Sequence, residues 1–111
     1  LLYPVIIYDP ALPRTRENLI GKKPSPELLD LYSTDKHVTK ATPPTFMVHA
    51  ADDEVVPVKH TLYFFNALLK SDVKAEMHIV QSGGHGFALA DSNSKDNWFR
   101  MFKSWLTENG F

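Results

Sequence analysis

A chain of 111 residues, 43% hydrophobic and 23% charged, has the size and composition of one globular domain with a modest core. Its formal net charge of −1 and the lack of any basic run argue against nucleic acid or an anionic membrane as a partner. With no cysteine, disulfides, thiolate metal sites and cysteine nucleophiles are excluded together, and no apolar run approaches the length of a membrane span.

The chain opens on Leu1-Leu2-Tyr3-Pro4-Val5-Ile6-Ile7-Tyr8, an apolar, β-branched run that reads as a buried strand already under way. Without an initiator methionine, it reads as the later part of a longer chain, so targeting and compartment stay unassigned. Tyr8 to Pro13 breaks the strand, and residues 14–24, charged and mixed, read as loop with at most a helical turn. Ser25-Pro26-Glu27 is a helix start: an N-cap serine, proline at the first helical position and an acid in the first turn. That helix is expected to run through Leu28, Leu29, Leu31 and Tyr32, with loop from Lys36 to Pro44.

Thr45-Phe46-Met47-Val48-His49-Ala50 is nearly all apolar, as in a parallel strand covered on both faces. Pro57 opens a helix with Val58, Leu62, Phe65 and Leu69 at helical spacing, widened by Phe64 and Leu68. Val73, Ala75, Met77 and Ile79 alternate with Lys74, Glu76 and His78, a half-exposed strand. After the glycine loop Gly83-Gly84-His85-Gly86-Phe87, a last helix is capped near Ser94. It gathers Trp98, Met101, Phe102 and Trp105 on one face and ends at Gly110. Strand, helix, strand, helix, strand, helix predicts an α/β fold with parallel strands and right-handed crossovers.

In such sheets chemistry sits on loops beyond the carboxyl ends of strands. That rule selects Ala50 to Pro57 after the second strand and the glycine loop after the third. An acid in the first loop and His85 in the second, one helix and one strand apart, form the acid–histidine half of a nucleophile–His–acid triad. Spacing leaves both Asp52 and Asp53 open as the acid, and each is also a candidate turn carboxylate capping the following helix. In hydrolases of this topology the order along the chain is Ser, acid, His. No G-x-S-x-G occurs here, and the seven serines lie at caps, in loops or on a helix. The nucleophile is therefore expected upstream of Leu1.

The segment Pro44 to Pro57 resembles the acid loop of α/β-hydrolase esterases, and Gly83-Gly84-His85-Gly86-Phe87 resembles their histidine loop. More narrowly, both are similar to the acetyl-xylan-esterase and feruloyl-esterase-like branch, near dienelactone hydrolases and the prolyl-oligopeptidase catalytic domain. There a strand ending in His-Gly-x-x-Asp is followed by Val-Val-Pro and a helix. Tyr3 to Ile6 and the stretch from Arg16 to Leu28 share the likeness, so it covers nearly the whole chain. Aligned on Val55-Val56-Pro57, the resemblance puts the catalytic acid on Asp53 and the base on His85, with Ala50 where the family has glycine. It implies that residues 1–111 are the C-terminal portion of a single α/β-hydrolase domain. The implied enzyme is a serine carboxylesterase acting on small-molecule or carbohydrate esters, without cofactor or metal.

Other residues read more plainly. Glu54 is a solvated neighbour, and His49, at a buried strand end, is hydrogen-bonded structure. His37, His60 and His78 lack metal spacing, and Trp98, Phe99, Phe102 and Trp105 are core before they are a sugar platform. Tyr3, Phe87 and residues 10–24 are candidates to line an acyl or alcohol pocket. Gly83-Gly84 leads into a long loop, which argues against a phosphate site at a helix end. The competing expectation is a non-catalytic module with an orphaned Asp/His pair. On either reading the first strand leaves an open apolar edge, to be covered by the upstream half of the same hydrolase or by a second copy.

Overall fold

The computed structural model describes residues 1–8, 13–87 and 98–111. The elements are helices α1 (Pro13–Ile20) and α2 (Pro26–Tyr32), a 3₁₀ turn (Thr34–His37), strand β1 (Thr45–Ala50), helix α3 (Lys59–Lys70), strand β2 (Ala75–Val80) and helix α4 (Trp98–Glu108). The last helix's expected cap near Ser94 lies outside the described residues.

β1 and β2 are parallel, in register from Thr45 opposite Ala75 to Ala50 opposite Val80. Their carboxyl ends, and hence the acid loop and the glycine loop, emerge side by side. β1 is buried from Phe46 to Ala50 because helices cover both of its faces. On one face Phe46 and Val48 pack with Trp105, flanked by Trp98, Phe102 and Leu106 of α4. On the other, Met47 packs with Leu68 of α3 and Val73, flanked by Phe64, Phe65 and Met77. Period-two alternation along the strand thus sorts its side chains into two apolar layers. Truncating Met47 or Leu68, both fully buried, to alanine would cost roughly 2–5 kcal/mol.

The opening strand is a correction. Only Leu2 forms a ladder contact, an isolated parallel bridge to Val48 on the edge of β1 away from β2. Val48 N donates to Leu1 O at 3.1 Å and Tyr3 N to Val48 O at 2.9 Å. Tyr3 then takes φ 36°, in the left-handed region, and Pro4 has no N–H to continue a ladder. The chain leaves the sheet there. Its later donors are met by a side chain: Ile6 N and Ile7 N donate to Nδ1 of His60 at 3.1 and 3.2 Å.

Residues 14–24 also differ from expectation, since α1 occupies Pro13–Ile20. Proline at its first position and Gly21 at φ 83°, with Gly21 N donating to Glu17 O, are ordinary start and stop signals of a helix. α2 follows its predicted start, with Ser25 Oγ accepting from Leu28 N. α3 turns inward part of the stripe expected from its sequence, Leu68 with Phe64 and Phe65, but not all of it. His60, Thr61 and Leu68 are buried, whereas Leu62 and Leu69 are exposed. α4 presents Trp98, Phe102 and Trp105 to the sheet but leaves Met101 largely outside, and Gly110 at φ 80° closes it.

Candidate active site

Immediately after β1 the chain turns tightly, with Asp53 N donating to Ala50 O at 3.3 Å. Asp53 is 5% exposed. Its Oδ1 accepts from Val55 N at 2.9 Å and Val56 N at 2.8 Å, the local turn pattern to which aspartate is suited. Its Oδ2 faces Nδ1 of His85 at 2.8 Å and Nε2 of His49 at 3.2 Å. Burial alone would raise the carboxyl pKa. The N–H of Val56, the His85 side chain and the N–H of Val55 outweigh it and hold the group below the ordinary carboxylate value. Asp53 is therefore an anion at neutral pH with both oxygens committed.

His85 stands at the tip of the glycine loop with 34% of its side chain exposed. Gly84 at φ 62° and Gly86 at φ 87° flank it in conformations that side chains rarely adopt. This lets the backbone turn sharply on both sides of the ring. The ring of Tyr3 packs on His85 at 4.7 Å between centroids, tilted by 59°, and Tyr3 also meets Phe87 at 5.8 Å. A carboxylate at Nδ1 fixes the proton there and leaves Nε2 as the nitrogen for proton exchange.

The rival acid, Asp52, has a different task. Its Oδ1 accepts from Gly83 N at 3.0 Å and Gly84 N at 2.9 Å, while Oδ2 lies 3.2 Å from Gly83 N. These N–H groups of Gly84 and Gly83 lower its carboxyl pKa. Adjacent aspartates thus hold the glycine loop in two ways: Asp52 through its backbone, Asp53 through its imidazole. Neither caps α3, whose N-cap is Val58 without a side-chain bond.

Behind the pair sits His49, fully buried, with Nδ1 2.6 Å from Oγ1 of Thr61 and Nε2 2.8 Å from Val56 O. Hydrogen-bonded structure is what a histidine at this strand end was expected to be. Its direct contact with the acid was not expected, and it arises from the tight turn after β1, which folds Asp53 back against the strand end. Glu54 is exposed, as anticipated for a solvated neighbour. No cluster of three His, Cys, Asp or Glu suited to a metal occurs among the described residues, and no helix among them is long and apolar enough to cross a membrane.

Residues 9–110 match the prolyl oligopeptidase family. The chain belongs to this α/β-hydrolase family. It is 30% identical, over 99% of its length, to an acetylxylan esterase from Xylanibacter ruminicola. Among solved structures, an acetyl ester-xyloside bifunctional hydrolase from Caldicellulosiruptor lactoaceticus superposes over the whole chain with a TM-score of 0.89 and 37% identity. A carboxylesterase from Lactobacillus plantarum WCFS1 does so over 99% of it, with a TM-score of 0.81 and 30% identity. The chain spans 23% of that acetylxylan esterase and 42% and 43% of those two solved chains. The α/β-hydrolase fold and the esterase-like branch expected from the acid and histidine loops are those of these relatives.

Proposed function

We propose that residues 1–111 supply the acid, Asp53, and the base, His85, of a Ser-His-Asp triad in a serine carboxylesterase. The serine and the oxyanion donors come from polypeptide outside these residues. The observation that carries the reading is the 2.8 Å contact between a buried, backbone-held carboxylate and Nδ1 of a part-exposed imidazole. In the acylation step, His85 Nε2 takes the proton from the serine hydroxyl as its oxygen attacks the ester carbonyl. Asp53 stabilises the imidazolium that forms. His85 returns the proton to the departing alkoxide, and water then releases the acid by the same cycle in reverse order.

The substrate class is a carboxylic ester, and the names of the acetylxylan esterase and of the acetyl ester-xyloside hydrolase favour an O-acetylated carbohydrate. The serine-bearing half is also the partner in this reading. It covers the edge of the sheet beyond the amino-terminal segment, where Leu1 and Leu2 are exposed. No step requires a metal or cofactor.

Labelling with a fluorophosphonate serine probe tests the proposal. In the full-length polypeptide one serine outside residues 1–111 should be labelled, and His85→Ala should abolish both labelling and hydrolysis of an acetyl ester. The 111 residues alone should show at most weak residual activity. Undiminished hydrolysis by His85→Ala would leave the Asp53–His85 pair an orphan and refute the esterase role of this site.

A further inference from the structure

We infer that His49 is a positioning residue for the acid: in its neutral, Nε2-protonated form it clasps the 50–56 turn shut around Asp53, and Thr61 fixes that tautomer. The inference rests on the triad reading above and deepens it.

The proton inventory of the buried cluster sets the tautomer. His49 Nε2 lies 2.8 Å from Val56 O and 3.2 Å from Asp53 Oδ2. A carbonyl and a carboxylate can only accept. Nε2 must therefore carry the proton, because a lone pair aimed at two acceptors would be repelled by both. On the other side of the ring, Nδ1 is 2.6 Å from Thr61 Oγ1, a hydroxyl able to donate. Thr61 gives its proton to Nδ1, and His49 gives its own to Val56 O with a longer arm to Asp53 Oδ2. His49 and Thr61 are both fully buried, so neither bond is exchanged with solvent.

The stronger arm explains how His49 acts. Val56 donates its N–H to Asp53 Oδ1 at 2.8 Å and accepts at its carbonyl from His49. The imidazole therefore grips the residue whose N–H holds the carboxylate. Through the weaker arm it also touches Oδ2, the same oxygen that receives His85 Nδ1. Each carboxylate oxygen then has two donors, and rotation of Asp53 away from His85 breaks bonds that burial prevents water from replacing. Thr61, which anchors the far side of the His49 ring, lies on α3. The acid is thus fixed to the helix as well as to the strand.

Two substitutions separate this role from a merely structural one. In His49→Gln the amide nitrogen falls where Nε2 was and can still donate to Val56 O. In His49→Asn the amide reaches only the place of Nδ1, so Thr61 keeps a partner and the turn loses its clasp. Each variant keeps one of the two histidine bonds in a fully buried site. In the full-length enzyme, kcat on an acetyl ester should fall on the order of 10- to 100-fold in His49→Asn, with KM little changed. His49→Gln should stay within a few-fold of the parent enzyme. Nitrogen-15 NMR of the unmutated enzyme supplies a readout independent of variant folding, and His49 should show the Nε2–H tautomer. An Nδ1–H tautomer, or equal loss of kcat in the two variants, overturns the inference. If His85→Ala abolishes hydrolysis while His49→Asn matches His49→Gln, the triad stands and the clasp falls. If His85→Ala is active, it is the triad that fails.

Discussion

The acid loop and the glycine loop leave neighbouring strands at the same edge, yet they are built by opposite means. In the acid loop, Asp53 is buried and its two oxygens take four N–H donors, two from the backbone and two from imidazoles. In the glycine loop, His85 is part-exposed and flanked by glycines at positive φ, and its backbone is tied down by the exposed carboxylate of Asp52. A carboxylate that only orients and stabilises can be sealed away. A base that must reach a substrate and trade a proton has to stay accessible. The difference gives the acid a sealed setting and the histidine an accessible one, with two adjacent aspartates joining the loops.

Short of removing His85 itself, the largest predicted effect comes from removing the charge of the buried partner. In Asp53→Asn the oxygen can keep the Val55 and Val56 N–H groups, so the amide NH₂ is turned toward His85 and His49. His85 Nδ1 must then accept, its proton moves to Nε2, and the ring cannot act as base. By analogy with the acid-to-amide change in other triads, kcat should drop about 10⁴-fold. Steady-state hydrolysis by the full-length enzyme checks this, and a loss below tenfold would show that Asp53 does not set the tautomer of His85.

A smaller effect is expected from stiffening the glycine loop at its turn. Gly84 sits at φ 62° with no heavy atom within 4 Å of an added Cβ, so alanine there meets conformational strain without a clash. Strain of about 1–3 kcal/mol should displace the loop rather than unfold the domain. His85 would leave its 2.8 Å contact, and kcat should fall on the order of 10- to 100-fold with the melting temperature little altered. Unchanged kcat in Gly84→Ala would remove the argument that positive φ beside His85 serves its placement.

How much of this was legible in the sequence follows the same division. β1 was readable to the residue because an uninterrupted apolar run suits a strand covered on both faces. That an acid-loop carboxylate would meet His85 was readable because topology puts loops after successive parallel strands together. The choice of Asp53 over Asp52 came from the resemblance, and in the structure Asp53 is the one in contact with the His85 ring. The opening segment was misjudged because composition reports burial and not pairing. Its Ile6 is buried, but the backbone of Ile6 and Ile7 bonds to a histidine of α3 instead of a strand. The face of α3 was legible only in part, for the complementary reason. Hydrophobic periodicity finds Phe64, Phe65 and Leu68, which do turn inward, but it also counts Leu62 and Leu69, which are exposed. It passes over His60 and Thr61, buried polar residues whose partners lie elsewhere in the chain. The task of Asp52 was hidden likewise, since its partners are backbone N–H groups that carry no side-chain signature.

The smallest predicted effect concerns that latch and its pH dependence. The N–H groups of Gly84 and Gly83 favour the charged form of Asp52, so its folded-state pKa lies below the ordinary carboxylate value near 4. A carboxyl with a lowered folded pKa binds its proton more readily in the unfolded or unlatched state. Its contribution is complete above the ordinary value and is lost as pH falls through the lowered one. The glycine loop should therefore remain latched from neutral pH down to about pH 4 and loosen only below it. Amide hydrogen exchange at Gly83 and Gly84 reports this directly. Protection should fall at the acid end in the parent protein, whereas in Asp52→Ala, which has no side-chain acceptor, it should be low and pH-independent once the intrinsic rate is removed. Asp53 is also held below the ordinary value, so the parent protein and the Asp52 variant should both retain its acid transition, seen at the N–H groups of Val55 and Val56. Glycine-loop protection that persists in Asp52→Ala would show that the loop is placed by the imidazole of His85 alone, and the two aspartates would then not divide the work.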